Sequence, residues 1–99
     1  MAFGISREEL AAWKRDASDG QIAFLTHFWH DSRFPQYRSV TKAACCDIQK
    51  LILWGKEYGL PKEYIHHRED YPHFDLMGKK QLEVMKKENR LHEISRFLK

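Results

Sequence analysis

Apolar residues near the start of the chain recur at the spacing of a helix, at Leu10, Trp13 and Ala17. Ser6 and Glu9, three positions apart, match a capping box, in which each side chain accepts a hydrogen bond from the backbone amide of the other. Gly20 suits the left-handed conformation in which many helices end. These signals predict a first helix over residues 6 to 19.

The next apolar segments are too short for helices. Residues 21 to 28 form an apolar run between Gly20 and a polar loop, which predicts a mostly buried strand. Further short strands are predicted at residues 39–44, 64–67 and 73–76. A turn at residues 70–72 separates the last two of these strands.

A second helix is predicted in the middle of the chain. Asp47 is a suitable N-cap, and the apolar residues that follow it indicate a helix that ends at Gly59. Gly55 lies inside this helix and costs about 1 kcal/mol relative to alanine. Either close packing on the sheet or an ordinary surface position accounts for this glycine.

The C-terminal part of the chain is predicted to be helical and basic. Residues 79–89 form one helical pattern, with Leu82 and Met85 facing inward, and a second apolar face follows at Leu91, Ile94, Phe97 and Leu98. Residues 79–99 contain seven Lys or Arg and three Glu, a net +4, whereas the whole chain carries +3. A basic helix can contact phosphates, and it can equally be a solvated face with ion pairs along the helix.

The alternation of helices and strands predicts an α/β domain, with α+β as a variant. We expect a small mixed sheet of three or four short strands packed with three to four helices. The sequence has no internal repeat, low-complexity tract or linker, which predicts one compact domain over residues 1–99.

Length and composition exclude several classes of protein. A chain of 99 residues with 42% hydrophobic residues is not disordered. No apolar run approaches the roughly 18 residues that span a membrane, and the start MAFGISREEL does not match a secretory signal. Cys45 and Cys46 are adjacent, so they indicate neither a disulfide framework nor a zinc ribbon. We therefore expect a cytoplasmic protein with no membrane partner, as a monomer or a homodimer.

Candidate functional residues lie at two places in the sequence. Trp29, His30 and Asp31 follow the first predicted strand, and ligands of open α/β sheets bind beyond the carboxyl ends of strands. His73 and Asp75 are two positions apart in the last predicted strand and therefore share one face. On the assumption that the strand order brings both places together, we expect one polar site.

Imidazole and carboxylate groups are ligands and bases near pH 7. The site therefore predicts binding of a divalent metal or a phosphorylated small molecule, with metal-assisted hydrolysis as the catalytic form. The catalytic candidates are His73, Asp75 and His30, the metal candidates are Asp31, His73 and Asp75, and the ligand-binding candidates are Asp31, Arg33, His73, Asp75 and Trp29. The spacings match no known metal motif, so ordinary structural or surface roles are the alternative.

Residues 28–38 form a loop that suggests a different function. The loop interleaves aromatic residues with arginines, at Phe28, Trp29, Arg33, Phe34, Tyr37 and Arg38. Such side chains can stack bases and bind phosphates, or form a contact surface for a protein. The alternative function is therefore a non-catalytic interaction module that binds RNA or protein. The aromatic residues can also pack at the edge of the core or within a dimer.

Six segments carry a resemblance to known proteins: residues 22–27, 31–35, 40–42, 54–56, 58–60 and 71–76. They resemble the YneQ-type proteins of bacilli, over essentially the whole chain. More distantly, the run from Asp47 through Gly59 to His73-Phe74-Asp75 is similar to a family of small phage and bacterial proteins with a His-Phe/Tyr-Asp motif. The chain lacks that family's middle-strand histidine, where residues 41–43 stand. The resemblance implies a compact α/β domain and no particular activity.

Overall fold

Helices flank a three-stranded sheet in the computed structural model, which describes residues 5–67 and 71–97. Within these residues the elements are α1 (Arg7–Ser18), β1 (Ala23–Phe28), β2 (Ser39–Ala44), α2 (Ile48–Glu57), a 3-10 turn (Lys62–Tyr64), β3 (His73–Leu76), α3 (Gly78–Lys87) and α4 (His92–Ser95). The predicted small α/β domain is confirmed, and the three described strands and four described helices fall within the predicted three or four strands and three to four helices. None of the described helices is long and apolar enough to cross a membrane.

The first two helices begin at the predicted caps. The Ser6 hydroxyl accepts a hydrogen bond from the Glu9 amide at 3.1 Å, and the Glu9 carboxylate accepts one from the Ser6 amide at 3.3 Å. The Asp47 carboxylate accepts from the Lys50 amide at 3.2 Å. These bonds satisfy amides that a helix leaves unpaired in its first turn, so the start of each helix is set by local sequence.

The strands lie in the order β1-β2-β3, and β2 pairs antiparallel with both neighbours. One row across the sheet contains Leu25, Lys42 and Asp75. The described sheet is therefore antiparallel throughout, and the prediction of a mixed sheet is wrong. For β1 and β2 the reason is that residues 29–38 join them as a loop, whereas parallel strands need a longer crossover, usually a helix.

The sheet is packed on both faces. On one face Ala23, Leu25 and Ala44 pack against Trp13 and Ala17 of α1. The opposite face forms the larger core with α2 and α3, which consists of Ala43, Cys45, Leu51, Tyr58, Leu60, Ile65, Phe74, Leu76 and Val84. Because both faces are covered, the strands show little alternation between buried and exposed residues.

The predicted strand at residues 64–67 is wrong. Tyr64 ends a 3-10 turn, and within this segment only His66 pairs with the sheet, through an isolated bridge to His73. The two residues exchange hydrogen bonds of 2.8 and 3.0 Å between their backbones. Of the predicted turn at residues 70–72, residue 70 lies outside the described part of the chain.

The predicted inward face of the third helix is partly wrong. Met85 is fully buried as expected, but Leu82 is 43% exposed. The buried neighbour of Leu82 is Gln81, whose amide donates to the hydroxyls of Ser39 and Thr41 on β2. The inward face of α3 thus contains the polar residue Gln81, where the apolar pattern predicted Leu82. On the predicted last helix Ile94 is buried, Leu91 is exposed and Leu98 lies outside the described residues.

Neighbouring segments contact both outer strands of the sheet, each at one residue. On β1, Arg96 Nη2 donates to the Thr26 carbonyl at 3.2 Å and also pairs with the Glu9 carboxylate at 2.8 Å. On β3, the bridge from His66 occupies the backbone of His73. The residues after α4 therefore connect the edge of the sheet to α1.

Tyr58, at the end of α2, connects this helix to α3. Its hydroxyl donates to Glu88 Oε2, and Lys80 Nζ donates to the Tyr58 carbonyl at 2.7 Å. Burial raises the pKa of Tyr58 above its usual value, and the hydrogen bond to the Glu88 carboxylate raises it further. The folded protein therefore holds the phenol proton more tightly than the unfolded chain does.

The raised pKa of Tyr58 means that its protonated hydroxyl stabilises the folded state. This contribution is fully present below a pH of about 10, the usual tyrosine pKa, and is lost as the pH rises above it. We expect Tyr58→Phe to lower the free energy of unfolding by about 1 kcal/mol at neutral pH. Above pH ~10 the stability of this variant should fall less steeply than that of the wild type. Urea unfolding across this range measures both effects, with Tyr64→Phe at an exposed position as the control. Equal slopes for wild type and Tyr58→Phe would contradict the assignment.

Candidate functional site

The structure divides the predicted site residues between two places. Asp31 and Arg33 lie in the loop between β1 and β2 and pair with each other. His73 and Asp75 lie in β3, where both contact each other and Asp75 also contacts His66. His73 stands at the end of β3 that is farther from this loop, because β3 is antiparallel to β2. The structure therefore does not bring Asp31 to His73 and Asp75.

His66, His73 and Asp75 form what we call the histidine cluster. His66 Nε2 lies 3.3 Å from Asp75 Oδ2, and His73 Nε2 lies 3.6 Å from Asp75 Oδ1. The two imidazole rings stack with centroids 5.4 Å apart and planes inclined by 21°. His73 is buried, whereas the side chain of His66 is 55% exposed. The carboxylate therefore lies between one buried and one accessible ring.

Hydrogen bonding sets the tautomer of His73. Its Nδ1 lies 3.0 Å from the Tyr71 carbonyl, which can only accept, so Nδ1 carries the proton. In the neutral ring the Nε2 lone pair then faces Asp75 Oδ1, a buried oxygen without a hydrogen-bond partner among the described residues. The histidine cluster thus presents a buried carboxylate oxygen next to two imidazole rings, of which His66 is the accessible one.

The predicted metal candidates do not form one group. Asp31 lies apart, and in the histidine cluster each imidazole contacts a different oxygen of Asp75. In the described part of the chain, no group of three or more His, Cys, Asp or Glu side chains is placed to hold a metal ion. Metal binding at His73 and Asp75 therefore stays a prediction without a ligand set.

A second candidate site is a depression of about 310 Å³ beside the loop of residues 29–38. It is lined by Trp29, Asp31, Arg33, Phe34, Tyr37, Met77 and Gly78, and we call it the aromatic pocket. Three predicted ligand-binding residues, Trp29, Asp31 and Arg33, are thus together. Met77 and Gly78 were missed, because they reach the loop only through the pairing of β3 with β2.

Asp31 holds Arg33 at the rim of the aromatic pocket. Arg33 donates from Nη2 to Asp31 Oδ2 at 2.5 Å, from Nε to Oδ1 at 3.0 Å and from its backbone amide to Oδ1 at 2.9 Å. The side-chain hydrogen bonds of Arg33, more than any other cause, lower the pKa of Asp31 to about 2. Asp31 is therefore ionised at neutral pH and orients the guanidinium, which also lies 5.7 Å over the Phe34 ring.

On the opposite side of the aromatic pocket, the Tyr37 ring packs against a glycine. Gly78 begins α3 with a φ of 60°, and a Cβ placed on it would lie 3.2 Å from Cζ of Tyr37. A residue with a side chain at this position would be strained and would press on the ring. The rings of Tyr37 and Phe34 are 6.4 Å apart and inclined by 33°. Phe34 and Tyr37 together form an aromatic surface, of which the Tyr37 ring packs on Gly78.

The other candidate residues lie outside both sites. His30 is exposed in the loop and does not line the aromatic pocket. In the basic C-terminal part, Lys80 pairs with Glu83 and Arg90 pairs with Glu93. These cations are therefore partly neutralised along their own helical segments, as the solvated-face alternative predicts.

Comparison with known proteins identifies the family. The chain is 53% identical over 97 residues to the "Uncharacterized protein YneQ" of Bacillus subtilis strain 168, and the match covers 98% of both chains. The chain belongs to the YneQ family. The resemblance to YneQ-type proteins inferred from the sequence is thus confirmed. No protein-family model and no solved structure matches the chain.

Proposed function

We propose that this protein binds a small phosphorylated ligand in the aromatic pocket. The observation that carries the proposal is the placement of Arg33 at the rim of a cavity of about 310 Å³. Its Nε and Nη2 are held by Asp31, whereas Nη1 has no partner within the described residues. An oriented guanidinium with free N–H groups is suited to binding phosphate oxygens.

The charge around the aromatic pocket favours an anion. Arg38 and Lys79 are exposed and directly follow two lining residues, Tyr37 and Gly78. Asp31 is the lining residue with a carboxylate, and Arg33 already neutralises it. The charges of Asp31 and Arg33 cancel within the lining, so the positive charge comes from Arg38 and Lys79 beside it, and added salt would weaken their attraction for a phosphorylated ligand.

Two other functions remain as outcomes of the test. Metal-assisted hydrolysis, the catalytic form, would use His73 and Asp75 in the histidine cluster with a divalent metal. The interaction module would use the exposed side chains beside the loop, because Phe28, Phe34 and Met77 are 40%, 44% and 45% exposed. A short single-stranded RNA shares the phosphate chemistry of the primary proposal, and its binding should weaken steeply with salt.

The test is a thermal-melt screen of the full chain with sugar phosphates, nucleotides, short RNA, and Mg²⁺ or Zn²⁺ alone. A ligand at 100 times its dissociation constant adds about 2.7 kcal/mol, and each kcal/mol raises the melting temperature by roughly 4–8 °C. We expect a shift with phosphorylated small molecules that Arg33→Gln abolishes. Arg7→Gln, which removes the same charge from the exposed start of α1, and Asp75→Asn should retain the shift.

Each contrary outcome points to a different function. A shift that survives in Arg33→Gln, or the absence of any shift, would overturn the proposal. A shift with metal alone, or metal-dependent phosphate release, that Asp75→Asn abolishes would move the function to the histidine cluster. Concentration-dependent dimerisation that Phe34→Ser abolishes would favour the interaction module.

We also propose that the protein acts in the cytoplasm. The described residues include two free cysteines, Cys45 and Cys46, and reducing compartments keep such thiols unpaired. Fractionation of the native host followed by immunoblotting tests this location, and recovery outside the cytoplasmic fraction would contradict it.

A further inference from the structure

We infer that the ligand of the aromatic pocket is a mononucleotide, whose base stacks on Phe34 and Tyr37 while its phosphate binds Arg33. This inference rests on the proposed function, in which Arg33 binds a phosphate. It adds that the rest of the ligand is a nucleoside with a base that stacks on aromatic rings. Three properties of the aromatic pocket support it: the polarity of its walls, its rigidity and its size.

The walls of the pocket suit a planar aromatic ring better than a sugar. Trp29, Phe34, Tyr37 and Met77 are large and mainly apolar, and the Asp31 carboxylate is already taken by Arg33. A sugar ring that entered this pocket would lose water from several hydroxyls and meet few partners beyond the Tyr37 hydroxyl and the Trp29 indole N–H, which is costly. A base buries two apolar faces and can keep its polar edge in water.

The pocket offers a stacking surface that is already in place. The Arg33 guanidinium lies 5.7 Å over the Phe34 ring, so the proposed phosphate-binding group and the ring proposed to stack on the base are adjacent. The Tyr37 ring packs against Gly78, where an added Cβ would come within 3.2 Å of the ring. A ring that is already packed before the ligand arrives has less conformational freedom to lose on binding, which favours affinity.

The size of the pocket favours a single nucleotide unit. A volume of about 310 Å³ is at the lower end of the range of roughly 300–1,000 Å³ found for ligand pockets. One base with its ribose partly outside and one phosphate at the rim fits this volume better than a dinucleotide. The same unit occurs in free mononucleotides and in RNA, so the test includes both.

The experiment compares AMP, GMP, UMP, ribose 5-phosphate, adenosine and a short single-stranded RNA by isothermal titration calorimetry with the full chain. We expect at least one mononucleotide to bind about tenfold or more tightly than ribose 5-phosphate, a difference of ~1.4 kcal/mol. Phe34→Leu should remove this advantage and leave the affinity for ribose 5-phosphate unchanged. Tyr64→Leu, at an exposed aromatic residue elsewhere, is the matched control.

The compared ligands and variants distinguish failure of the mononucleotide inference from failure of the proposed function. Equal affinity for ribose 5-phosphate and all mononucleotides, with loss of both in Arg33→Gln, would overturn the inference and leave the proposed function intact. No binding of any phosphorylated compound would overturn both. Adenosine binding as tightly as AMP would overturn the assigned role of Arg33. RNA binding without mononucleotide binding would overturn the small ligand in favour of a strand.

Discussion

Thr41→Val is expected to lower the free energy of unfolding by about 2–3 kcal/mol, because it interrupts a buried chain of hydrogen bonds. Thr41 Oγ1 lies 2.7 Å from Thr26 Oγ1 and accepts from Gln81 Nε2 at 2.9 Å. Gln81 Nε2 also lies 3.2 Å from Ser39 Oγ, and all four residues are buried. Valine has nearly the shape of threonine, so the loss reports unpaired polar groups and not a cavity.

Urea unfolding of Thr41→Val measures this loss, which corresponds to a fall of at least about 8 °C in melting temperature. The control is the quadruple variant Thr26→Val/Ser39→Ala/Thr41→Val/Gln81→Leu, which removes the polar groups of the network together. Replacing all partners with apolar groups is often nearly neutral, so the quadruple variant should recover much of the stability. A quadruple variant as unstable as the sum of its single changes would show that packing, and not hydrogen bonding, causes the loss.

Gly55→Ala is expected to lower the free energy of unfolding by up to about 2 kcal/mol, although alanine is the better helix former. A Cβ on Gly55 would lie 2.6 and 2.8 Å from two ring atoms of Phe74 and 3.2 Å from the Leu60 carbonyl. Phe74 is almost fully buried and packs beside Trp54, so its ring has little room to move. The cost of overpacking, typically about 1–3 kcal/mol, therefore exceeds the gain of about 1 kcal/mol in helix propensity.

A double variant separates the close contact from other effects at Gly55. Phe74→Leu removes the ring atoms that the new Cβ would meet, so it should cost less stability in the Gly55→Ala background than in the wild type. Lys56→Ala, at the exposed next position of α2, should change the free energy of unfolding by less than about 0.5 kcal/mol. A Gly55→Ala protein that is more stable than the wild type would mean that the Phe74 ring yields.

The elements that the sequence predicted best are those defined by local contacts. The Ser6–Glu9 capping box and the Asp47 cap involve residues three positions apart, and both are confirmed. The error at Leu82 has a non-local cause, because α3 faces the hydroxyls of Ser39 and Thr41 and therefore buries Gln81. An apolar pattern cannot indicate that a helix will cover polar groups of a strand distant in sequence.

The candidate site depended even more on contacts between distant segments. The alternation in β3 correctly placed His73 and Asp75 on one face. The expectation that His73 and Asp75 lie close to Asp31 required a particular order and direction of the strands. No local sequence pattern encodes that order or direction. The antiparallel sheet instead brings Met77 and Gly78 to Asp31 and Arg33, and it brings His66 to His73.

The occupied edges of the sheet affect how the protein behaves in concentrated solution. Exposed strand edges are templates on which other molecules add strands, and this is a common route to aggregation. Here Arg96 covers the Thr26 carbonyl on β1, and the bridge from His66 occupies His73 on β3. A chain shortened before Arg96 would uncover the edge of β1 and is expected to precipitate more readily on storage. Any fusion partner or affinity tag at the C-terminus should therefore follow a spacer that leaves the contacts of Arg96 with Thr26 and Glu9 intact.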